Sequence, residues 1–402
     1  MSFNIIPMLS FFAKQVIKKY HPTIIAVFSR GCEFDPSPAI VGVLSKKFLV
    51  ARRVSPIKTG KEAIGAILNS APEENFISKF FGALSLLAGK KIDYPEIIVF
   101  RVSDPAVLLK IKNLEKIFKV DFLVILPGAI GHEAEAATKI KRFLSPNAAL
   151  ILKSSDKNSF NLFKKEKYKI LTYSSPNADI FAGDIFLQSN GGIKGIKRFS
   201  ISFKVFHKGS MLPVRISRSV NEKEVCGVLI AALLGTETGI NLVEIAGSFS
   251  DYQPTRGIMN VIEGIKRSVI IDNSANYDFK SALRALDSFS KLKNGRKIAV
   301  IGDILGLGEK CEKYHLEIAG KIFETRPDLV FCAGARANFV YEELKRLNFD
   351  RSRLFEFESV DEVEVQLQPK IQEDDLILVS GSKEAGLGKI VSQIMANPPL
   401  AE

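Results

Sequence analysis

The chain of 402 residues contains no tryptophan and only four cysteines and four histidines. The cysteines, Cys32, Cys226, Cys311 and Cys332, are scattered, form no CxxC pair and belong to no set with the spacing of a metal site. These absences argue against a disulfide scaffold and a structural zinc site. The sequence also lacks an uncharged apolar run of the roughly 18 to 20 residues that a membrane-spanning helix needs. We therefore expect a globular protein of the reducing cytoplasm.

The first 20 residues, MSFNIIPMLSFFAKQVIKKY, combine an apolar stretch with a basic end. A secretory signal would place its positive charges before the apolar stretch and would end in a small-residue cleavage site, and neither feature is present. The pattern predicts an amphipathic helix over residues 1–20 that packs on the following domain. Contact of this helix with a membrane surface, which would make the protein peripheral to the membrane, is the alternative interpretation.

The net charge of +12 is unevenly distributed along the chain. Residues 1–300 contain 44 lysines and arginines against 25 acidic residues, whereas residues 301–402 contain 12 against 19. A solvated basic face is one explanation, and an anionic partner such as a nucleotide, a nucleic acid or an acidic lipid is the other. The sequence has no zinc finger and no aromatic RNA-binding platform, so the charge alone does not favour nucleic acid.

Short β-type runs alternate with helical stretches through most of the chain, which is typical of an α/β protein with mainly parallel sheets. Residues 182–216 instead alternate apolar and polar residues around Gly-rich turns, which predicts an antiparallel meander. A polar, Gly-bearing stretch at 247–257 predicts a domain boundary, and strands about 25 to 30 residues apart beyond it predict a doubly wound domain. The predicted strands are 24–28, 48–52, 97–102, 122–126, 149–153 and 169–173 in the first series and 268–271, 297–301, 329–333, 354–357 and 376–379 in the second.

Three loops of the second series follow predicted strands, at the edge where doubly wound sheets build their sites. They read IIDNSANYDFKSALRAL (270–286), IAVIGDILGLGEKCEKYH (298–315) and LILVSGSKEAGLGKIV (376–391). In this order and spacing they resemble the C-terminal domain of the Mur ligases, in particular of those that add D-alanyl-D-alanine. The resemblance implies a central α/β domain of the phosphate-loop type at residues 21–247 and a Rossmann-like domain at 248–402. The family's N-terminal UDP-sugar-binding domain has no counterpart, which implies a two-domain version.

The segment IIAVFSRGCEFDPSPAI (24–40) resembles the strand, phosphate loop and first helix of the family, whose loop ends in Gly-Lys-Thr. Alignment puts Cys32 at the glycine and Glu33 at the lysine, and a carboxylate there would repel phosphate by roughly a few kcal/mol. Pro36 and Pro38 also remove N–H donors from the helix start that would face the anion. The resemblance therefore implies a degenerate phosphate loop, made of Ser29, Arg30, Gly31, Cys32, Glu33, Phe34 and Asp35.

Other positions of the family's site have partial matches. The resemblance implies catalytic roles for His132, at the place of a metal-liganding histidine, and for Lys139, near the place of a carbamylated lysine. Arg101 falls near a glutamate that the family associates with magnesium, which reverses the charge. In the second domain the matching residues, where glycine and aspartate also suit turns and helix caps, are Asp272, Asn273 and Asn276 of the nucleotide-facing loop and Gly302, Asp303, Ser382, Lys383 and Gly386 of the other two loops.

Three functions remain open, and we favour the first. It is a Mur-ligase-like protein of peptidoglycan precursor synthesis that has lost ATP-dependent ligation, needs no cofactor, and binds or regulates a partner such as an active Mur ligase, with muramoyl-peptide as a candidate ligand. The second is a divergent active ligase that uses ATP and Mg²⁺ to add D-alanyl-D-alanine to a UDP-muramoyl peptide. The third is a module whose basic first domain binds nucleic acid or an acidic membrane surface.

Overall fold

The computed structural model describes residues 5–29, 34–51, 56–57, 59–70, 76–88, 93–102, 114–130, 134–164, 166–189, 199–250, 252, 254–276, 278–293 and 295–397. Contacts divide the chain into two compact units. Unit 1 comprises residues 1–183, 204–214 and 225–249, and unit 2 comprises residues 184–203, 215–224 and 250–402. Among the described residues, no helix combines the length and the apolar composition that crossing a bilayer requires.

The first sheet has nine strands in the order β2-β3-β1-β4-β5-β6-β7-β8-β9. Its strands are β1 (Thr23–Phe28), β2 (Pro56–Ile57), β3 (Ile97–Val102), β4 (Val120–Ile125), β5 (Leu144–Lys153), β6 (Lys169–Tyr173), β7 (Ile180–Ser189), β8 (Phe199–His207) and β9 (Ser210–Ser217). Pairing is parallel from β2 to β6, with β1 between β3 and β4. The apolar run of β1 is almost completely buried, as expected for a parallel strand covered on both faces.

The helices of this part of the chain are α1 (Ile5–Tyr20), α2 (Ser37–Leu44), α3 (Gly60–Ile67), α4 (Phe76–Leu87), α5 (Ala134–Lys141), α6 (Lys157–Phe163), α7 (Glu224–Glu237) and α8 (Leu242–Ser248). The helix predicted over residues 1–20 corresponds to α1 from Ile5 to Tyr20, and residues 1–4 lie outside the described residues. Leu9, Ala13 and Val16, spaced by one helical turn, bury one side of α1 in the same apolar core as Ile24 of β1.

The predicted meander is confirmed by β7, β8 and β9, which are neighbours in the sheet. The last two strands are joined by Lys208 and Gly209, both of which have positive φ (47° and 79°). Two such central residues make the type I′ turn of an antiparallel hairpin.

The strand predicted over 48–52 is wrong for its described part. Residues 48–51 form only an isolated bridge between Val50 and Ile97. The Glu96 carboxylate accepts the Leu49 N–H at 2.8 Å, and the Leu49 carbonyl accepts the N–H groups of Glu96 and Ile97. Because the Glu96 side chain takes the Leu49 N–H, pairing with β3 stops at this bridge, and β2 is the strand that pairs with β3 on this side of the sheet.

The second sheet has six strands in the order β10-β11-β15-β12-β13-β14. Its strands are β10 (Asn260–Glu263), β11 (Val269–Asn276), β12 (Lys297–Gly302), β13 (Leu329–Ala333), β14 (Leu354–Phe357) and β15 (Leu376–Ser382), and its helices are α9 (Phe279–Lys291), α10 (Cys311–Thr325), α11 (Ala337–Arg346), α12 (Val360–Leu367) and α13 (Gly388–Ile394). All pairs are parallel except β10 with β11. Helices α9 to α11 supply one apolar core and α12 and α13 another, which is the doubly wound arrangement.

Strands β11, β15 and β12 are adjacent and parallel. The carboxyl ends of adjacent parallel strands lie at the same edge of a sheet, so the three loops singled out in the sequence begin side by side. This edge and the loop after β1 are both positions of a kind where α/β sheets build sites.

Candidate functional site

The loop after β1 is described on both sides of a gap. Ser29 is buried and its N–H donates to the Val102 carbonyl at 3.0 Å, which ties the end of β1 to β3. Phe34 is buried as well and lies with Pro36 against Gly227 of α7. A family hydroxyl position is thus occupied here by a core side chain. The predicted loop residues Arg30, Gly31, Cys32 and Glu33 lie outside the described residues.

Asp35 stands directly before α2 and directs its carboxylate to the start of that helix. Its Oδ1 accepts the backbone N–H of Ser37 at 2.9 Å. Its Oδ2 lies 3.0 Å from Nη1 of Arg101, and the two side chains are only 8% and 14% exposed. Nε of Arg101 also donates to Oγ of Ser29 at 3.3 Å. Asp35, Arg101 and Ser29 therefore form one largely buried polar cluster, which we call the Asp35 cluster.

The position of Arg101 follows from the sheet. In the parallel register of β1 and β3, Arg101 is level with Val27, one residue before β1 ends. A long side chain from this place reaches the residues that follow β1. The charge reversal inferred from the sequence thus has a structural consequence, since the guanidinium at this position pairs with a carboxylate of the neighbouring loop.

The Asp35 cluster uses groups that a bound phosphate would otherwise contact. Helix starts attract anions because their N–H groups are free and the helix dipole is positive there. At α2 an internal carboxylate already accepts one of these N–H groups, and the nearby cation is paired with that same carboxylate. A phosphate placed here would meet a negative charge in a buried setting, where like charges repel strongly.

The catalytic roles of His132 and Lys139 stay predictions. His132 lies outside the described residues. Lys139 is half-buried on α5. Within the described part of the chain, no group of three or more His, Cys, Asp or Glu side chains is arranged to hold a metal ion.

In unit 2, Asp272 and Asn273 lie on β11 and are buried. The Asp272 carboxylate accepts the N–H groups of Ser274 and Gly257, each at 3.0 Å. Burial raises the pKa of Asp272, and the hydrogen bonds from Ser274 and Gly257 oppose that shift. Nδ2 of Asn273 donates to Oγ of Ser380 at 3.0 Å, which links β11 to β15.

Asp303 follows β12, and its carboxylate caps α11. Its Oδ1 accepts the N–H groups of Arg336 and Ala337, both at 2.9 Å, at the start of α11. The Asp303 carbonyl accepts the Ser382 N–H at 2.9 Å, and Oγ of Ser382 in turn accepts the Leu305 N–H at 2.9 Å. These bonds join the loops after β12 and β15.

The remaining predicted residues of unit 2 also have structural explanations. A Cβ on Gly302 would come within 2.2 Å of a methyl group of the buried Leu387. Lys383 begins a single 3-10 turn, and Gly386 ends it with a φ of 77°. Asn276 is the last residue of β11. Turns, caps and packing account for most of these residues, and a nucleotide-binding role for them stays a prediction.

Sequence reasoning missed the role of His315 in this edge. Its ring, on α10, is fully buried, with Nδ1 2.7 Å from the Cys311 carbonyl. Nε2 accepts the Ile304 N–H at 3.3 Å, so Nδ1 carries the proton and the neutral ring holds the loop after β12. Burial lowers the pKa of His315. A histidine twelve residues after Asp303, the first residue of that loop, was the available signal.

Comparison with known sequences agrees with these features. Residues 259–383 match the family model described as the Mur ligase, glutamate ligase domain. The chain is similar to the UDP-N-acetylmuramoyl-tripeptide–D-alanyl-D-alanine ligase of Rickettsia prowazekii, with 27% identity over 165 residues, 41% of this chain and 34% of that one. The enzyme of the same name from Buchnera aphidicola is 26% identical over 267 residues, which cover 65% of this chain and 54% of that one. The matches thus span about a third to just over half of these relatives' length.

Comparison with solved structures extends the likeness to most of the chain. MurF from Acinetobacter baumannii superposes with a TM-score of 0.72 at 17% identity, over 97% of this chain and 79% of that one. The MurF ligase of Thermotoga maritima, solved in complex with ADP, superposes with a TM-score of 0.69 at 15% identity. The superposition covers 98% of this chain and 84% of that one. At such identities the likeness concerns the fold. Residues 259–383 thus match the Mur ligase family model, and over most of its length the chain resembles in fold the Mur ligases that add D-alanyl-D-alanine.

Proposed function

We propose that this protein serves peptidoglycan precursor synthesis in the cytoplasm as a Mur-ligase-like protein that does not carry out ATP-dependent ligation. In this proposal it acts by binding, either to a muramoyl-peptide or to an active Mur ligase whose activity it regulates. The observation that carries the proposal is the Asp35 cluster, in which an internal carboxylate takes the place of an anionic ligand at the start of α2.

The charges around the loop support the same conclusion. An active ligase of this type needs a cation and free N–H donors for the phosphates of ATP. Arg101 is the cation that the described residues supply here, and Asp35 already neutralises it. Glu33 stands where the family has its lysine, and Pro36 and Pro38 lack N–H groups. ATP would therefore meet two carboxylates and few donors.

The loops of unit 2 support a binding role. These loops are held by hydrogen bonds that Asp272, Asp303 and Ser382 accept from backbone N–H groups and by one that Asn273 donates to Ser380. Since these contacts are made by the protein alone, the edge keeps its shape without a nucleotide. A preformed edge loses little conformational entropy when a peptide or a protein binds.

Nucleotide binding is tested by thermal unfolding with and without millimolar Mg-ATP. A ligand at 100 times its dissociation constant stabilises a protein by about 2.7 kcal/mol, which for a domain of this size raises the melting temperature by roughly 5 to 10 °C. We expect a shift below about 1 °C. The Glu33→Lys variant should behave in the same way, because the glycine and hydroxyl positions of the loop are missing too. A shift of several degrees in the wild-type protein would instead support the divergent active ligase.

The regulatory part is tested by adding the protein to an active D-alanyl-D-alanine-adding ligase and measuring the kcat and KM of that enzyme for UDP-muramoyl tripeptide. We expect a change in one of these constants, or binding of the muramoyl-peptide to the protein by itself. If neither is seen, the proposed role is wrong. Salt-sensitive binding to an oligonucleotide, with no effect on the ligase, would point to a nucleic-acid module.

A further inference from the structure

We propose that the protein docks reversibly on an anionic lipid surface through the outer side of α1 and α4. The surface in question, called the α1–α4 face, is made of Met8, Phe11, Lys14 and Lys18 on α1 and Phe81 and Leu84 on α4. This inference does not depend on the nucleotide question, since none of these residues belongs to the Asp35 cluster or to the loops of unit 2.

Large apolar side chains are exposed on this face. Phe11 and Phe81 are 58% and 61% exposed, and Met8 and Leu84 are each 39% exposed. Met8 and Phe11, like Phe81 and Leu84, are three residues apart and therefore lie on one side of their helix. Of the described residues, few large apolar side chains are as exposed as the two phenylalanines.

Ring contacts show that the two exposed phenylalanines border the same seam between the helices. Phe11 contacts Phe12 edge-on, with centroids 5.8 Å apart. Phe12 contacts Phe80 at 5.4 Å across the seam, and Phe80 contacts Phe81 at 5.5 Å. The inner rings are half-buried. The exposed rings are thus the outer members of one continuous aromatic row, held in place by the inner pair.

The contacts at the other end of the helix pair fix its geometry. Nζ of Lys19 donates to the carbonyls of Leu86 and Leu87, both at 2.9 Å, and the Tyr20 hydroxyl donates to the Leu86 carbonyl at 2.7 Å. These bonds satisfy the last carbonyls of α4 and pin α1 to it. The α1–α4 face is therefore a preformed surface, and its exposed rings need little ordering to bind.

The charges on the two helices have one sign. Together α1 and α4 contain four lysines and no acidic residue. Lys14 and Lys18 are exposed, and within the described part of the chain no hydrogen bond or ion pair engages their ammonium groups. They follow Phe11 by three and seven residues, on the same side of α1. An apolar strip with flexible lysines beside it is the arrangement of a helix that lies in a membrane interface.

This charge pattern favours lipid over a second copy of the chain. In a two-fold dimer the same patch faces itself, so Lys14 and Lys18 would approach their own counterparts with no acidic residue on either helix to pair with. Protein interfaces are also depleted in lysine. An anionic headgroup layer pairs with the ammonium groups and accepts the phenylalanine rings just below the headgroups.

The test is sedimentation of the 402-residue chain with vesicles made of equal parts phosphatidylglycerol and phosphatidylcholine, compared with vesicles of phosphatidylcholine alone. We expect binding to the anionic vesicles that weakens as salt is raised. Phe11→Ser combined with Phe81→Ser should lower the partition coefficient at least about tenfold, because two aromatic rings that enter the lipid on binding are lost. Lys14→Glu combined with Lys18→Glu should also lower it at least about tenfold, and only on the anionic vesicles.

The matched control is Val243→Ser combined with Val365→Ser, which removes apolar side chains that are 76% and 70% exposed on other helices. This variant should bind like the wild-type protein, and all variants should keep their melting temperature because the substituted side chains are exposed. Equal binding to neutral vesicles, or binding unchanged by both sets of α1–α4 substitutions, would overturn the proposal. So would a dimer that the Phe11 and Phe81 substitutions dissociate, or binding to an oligonucleotide without binding to vesicles.

Discussion

Asp35 is the residue on which the proposed function rests. Its carboxylate accepts the Ser37 N–H at the start of α2 and pairs with Arg101, so one side chain engages both groups. Removing one partner of a buried ion pair typically costs about 3–5 kcal/mol, because the other charge is left without compensation. A loop built in this way is tied to the stability of its domain, and its charge is no longer available to a ligand.

His315 gives a prediction about pH. Burial lowers the pKa of His315 in the folded protein below the ordinary value of 6.5. As the pH falls below 6.5, the unfolded chain therefore binds more protons than the folded protein does. The neutral ring therefore contributes stability above pH 6.5 that is lost progressively at lower pH. We expect the free energy of unfolding, measured in urea, to fall between pH 7 and pH 5, and to fall less in His315→Gln.

Ser382→Ala is the control for this experiment. The Ser382 hydroxyl accepts the Leu305 N–H in the same loop and does not titrate in this range. The Ser382→Ala variant should therefore be less stable than the wild-type protein by the same amount at every pH. If His315→Gln and the wild-type protein showed the same pH dependence, His315 would not be the source of it.

Among the secondary-structure elements, β12 shows why a glycine ends a strand in unit 2. Gly302 lies against Leu387, and an added Cβ would come within 2.2 Å of that side chain, which is fully buried. Gly302→Ala should therefore cost about 1–3 kcal/mol through overpacking. Gly320→Ala, in the middle of α10 with open space around it, should instead stabilise the protein by up to about 1 kcal/mol.

Urea denaturation of these two variants measures both effects. The double variant Gly302→Ala with Leu387→Ala should lose less stability than the sum of the two single losses, because the shorter side chain at 387 leaves room for the methyl group at 302. Strict additivity of the two losses would contradict the close packing of Gly302 on Leu387.

Most strands could be predicted from the sequence, because buried parallel strands are short apolar runs between turn residues. The predictions for β3, β6, β13 and β14 match the structure at both ends. The ends of β5 and β15 were missed, since β5 begins at Leu144 and β15 continues to Ser382 through pairing with its neighbours. The strand predicted over 48–52 failed for a related reason, as Glu96 satisfies the Leu49 N–H that a ladder would have used.

In the molecule as a whole, two segments from the middle of the chain belong to unit 2. Phe199 and Val220 are fully buried in the same apolar cluster as Val261 and Ile271. Hydrophobic pattern along the chain does not reveal this membership, because it indicates that a residue is buried and not which core it enters.

Phe199 supplies the prediction for this arrangement. Phe199→Ala should cost about 3–5 kcal/mol by leaving a cavity in the core of unit 2. Hydrogen exchange should then show lower protection in β11 and β12, far along the chain from the substitution. Phe160→Ala, which removes a side chain that is 42% exposed, is the control and should have little effect on protection. Loss of protection confined to β8 would show that Phe199 does not belong to that core.

Local pattern is sufficient to predict the class of fold and the resemblance to the Mur ligases, because both depend on residue types at fixed spacing. The degenerate phosphate loop stays a prediction from the same kind of pattern. The loop sequence shows which groups are missing, namely a lysine, a glycine and hydroxyls. The pairing of Asp35 with Arg101 depends on the parallel register of β1 and β3, which brings together residues 66 positions apart in the chain. A buried charge without a partner is costly, so pairing of these two side chains is favourable once the sheet has formed. The contact itself exists only in the folded protein.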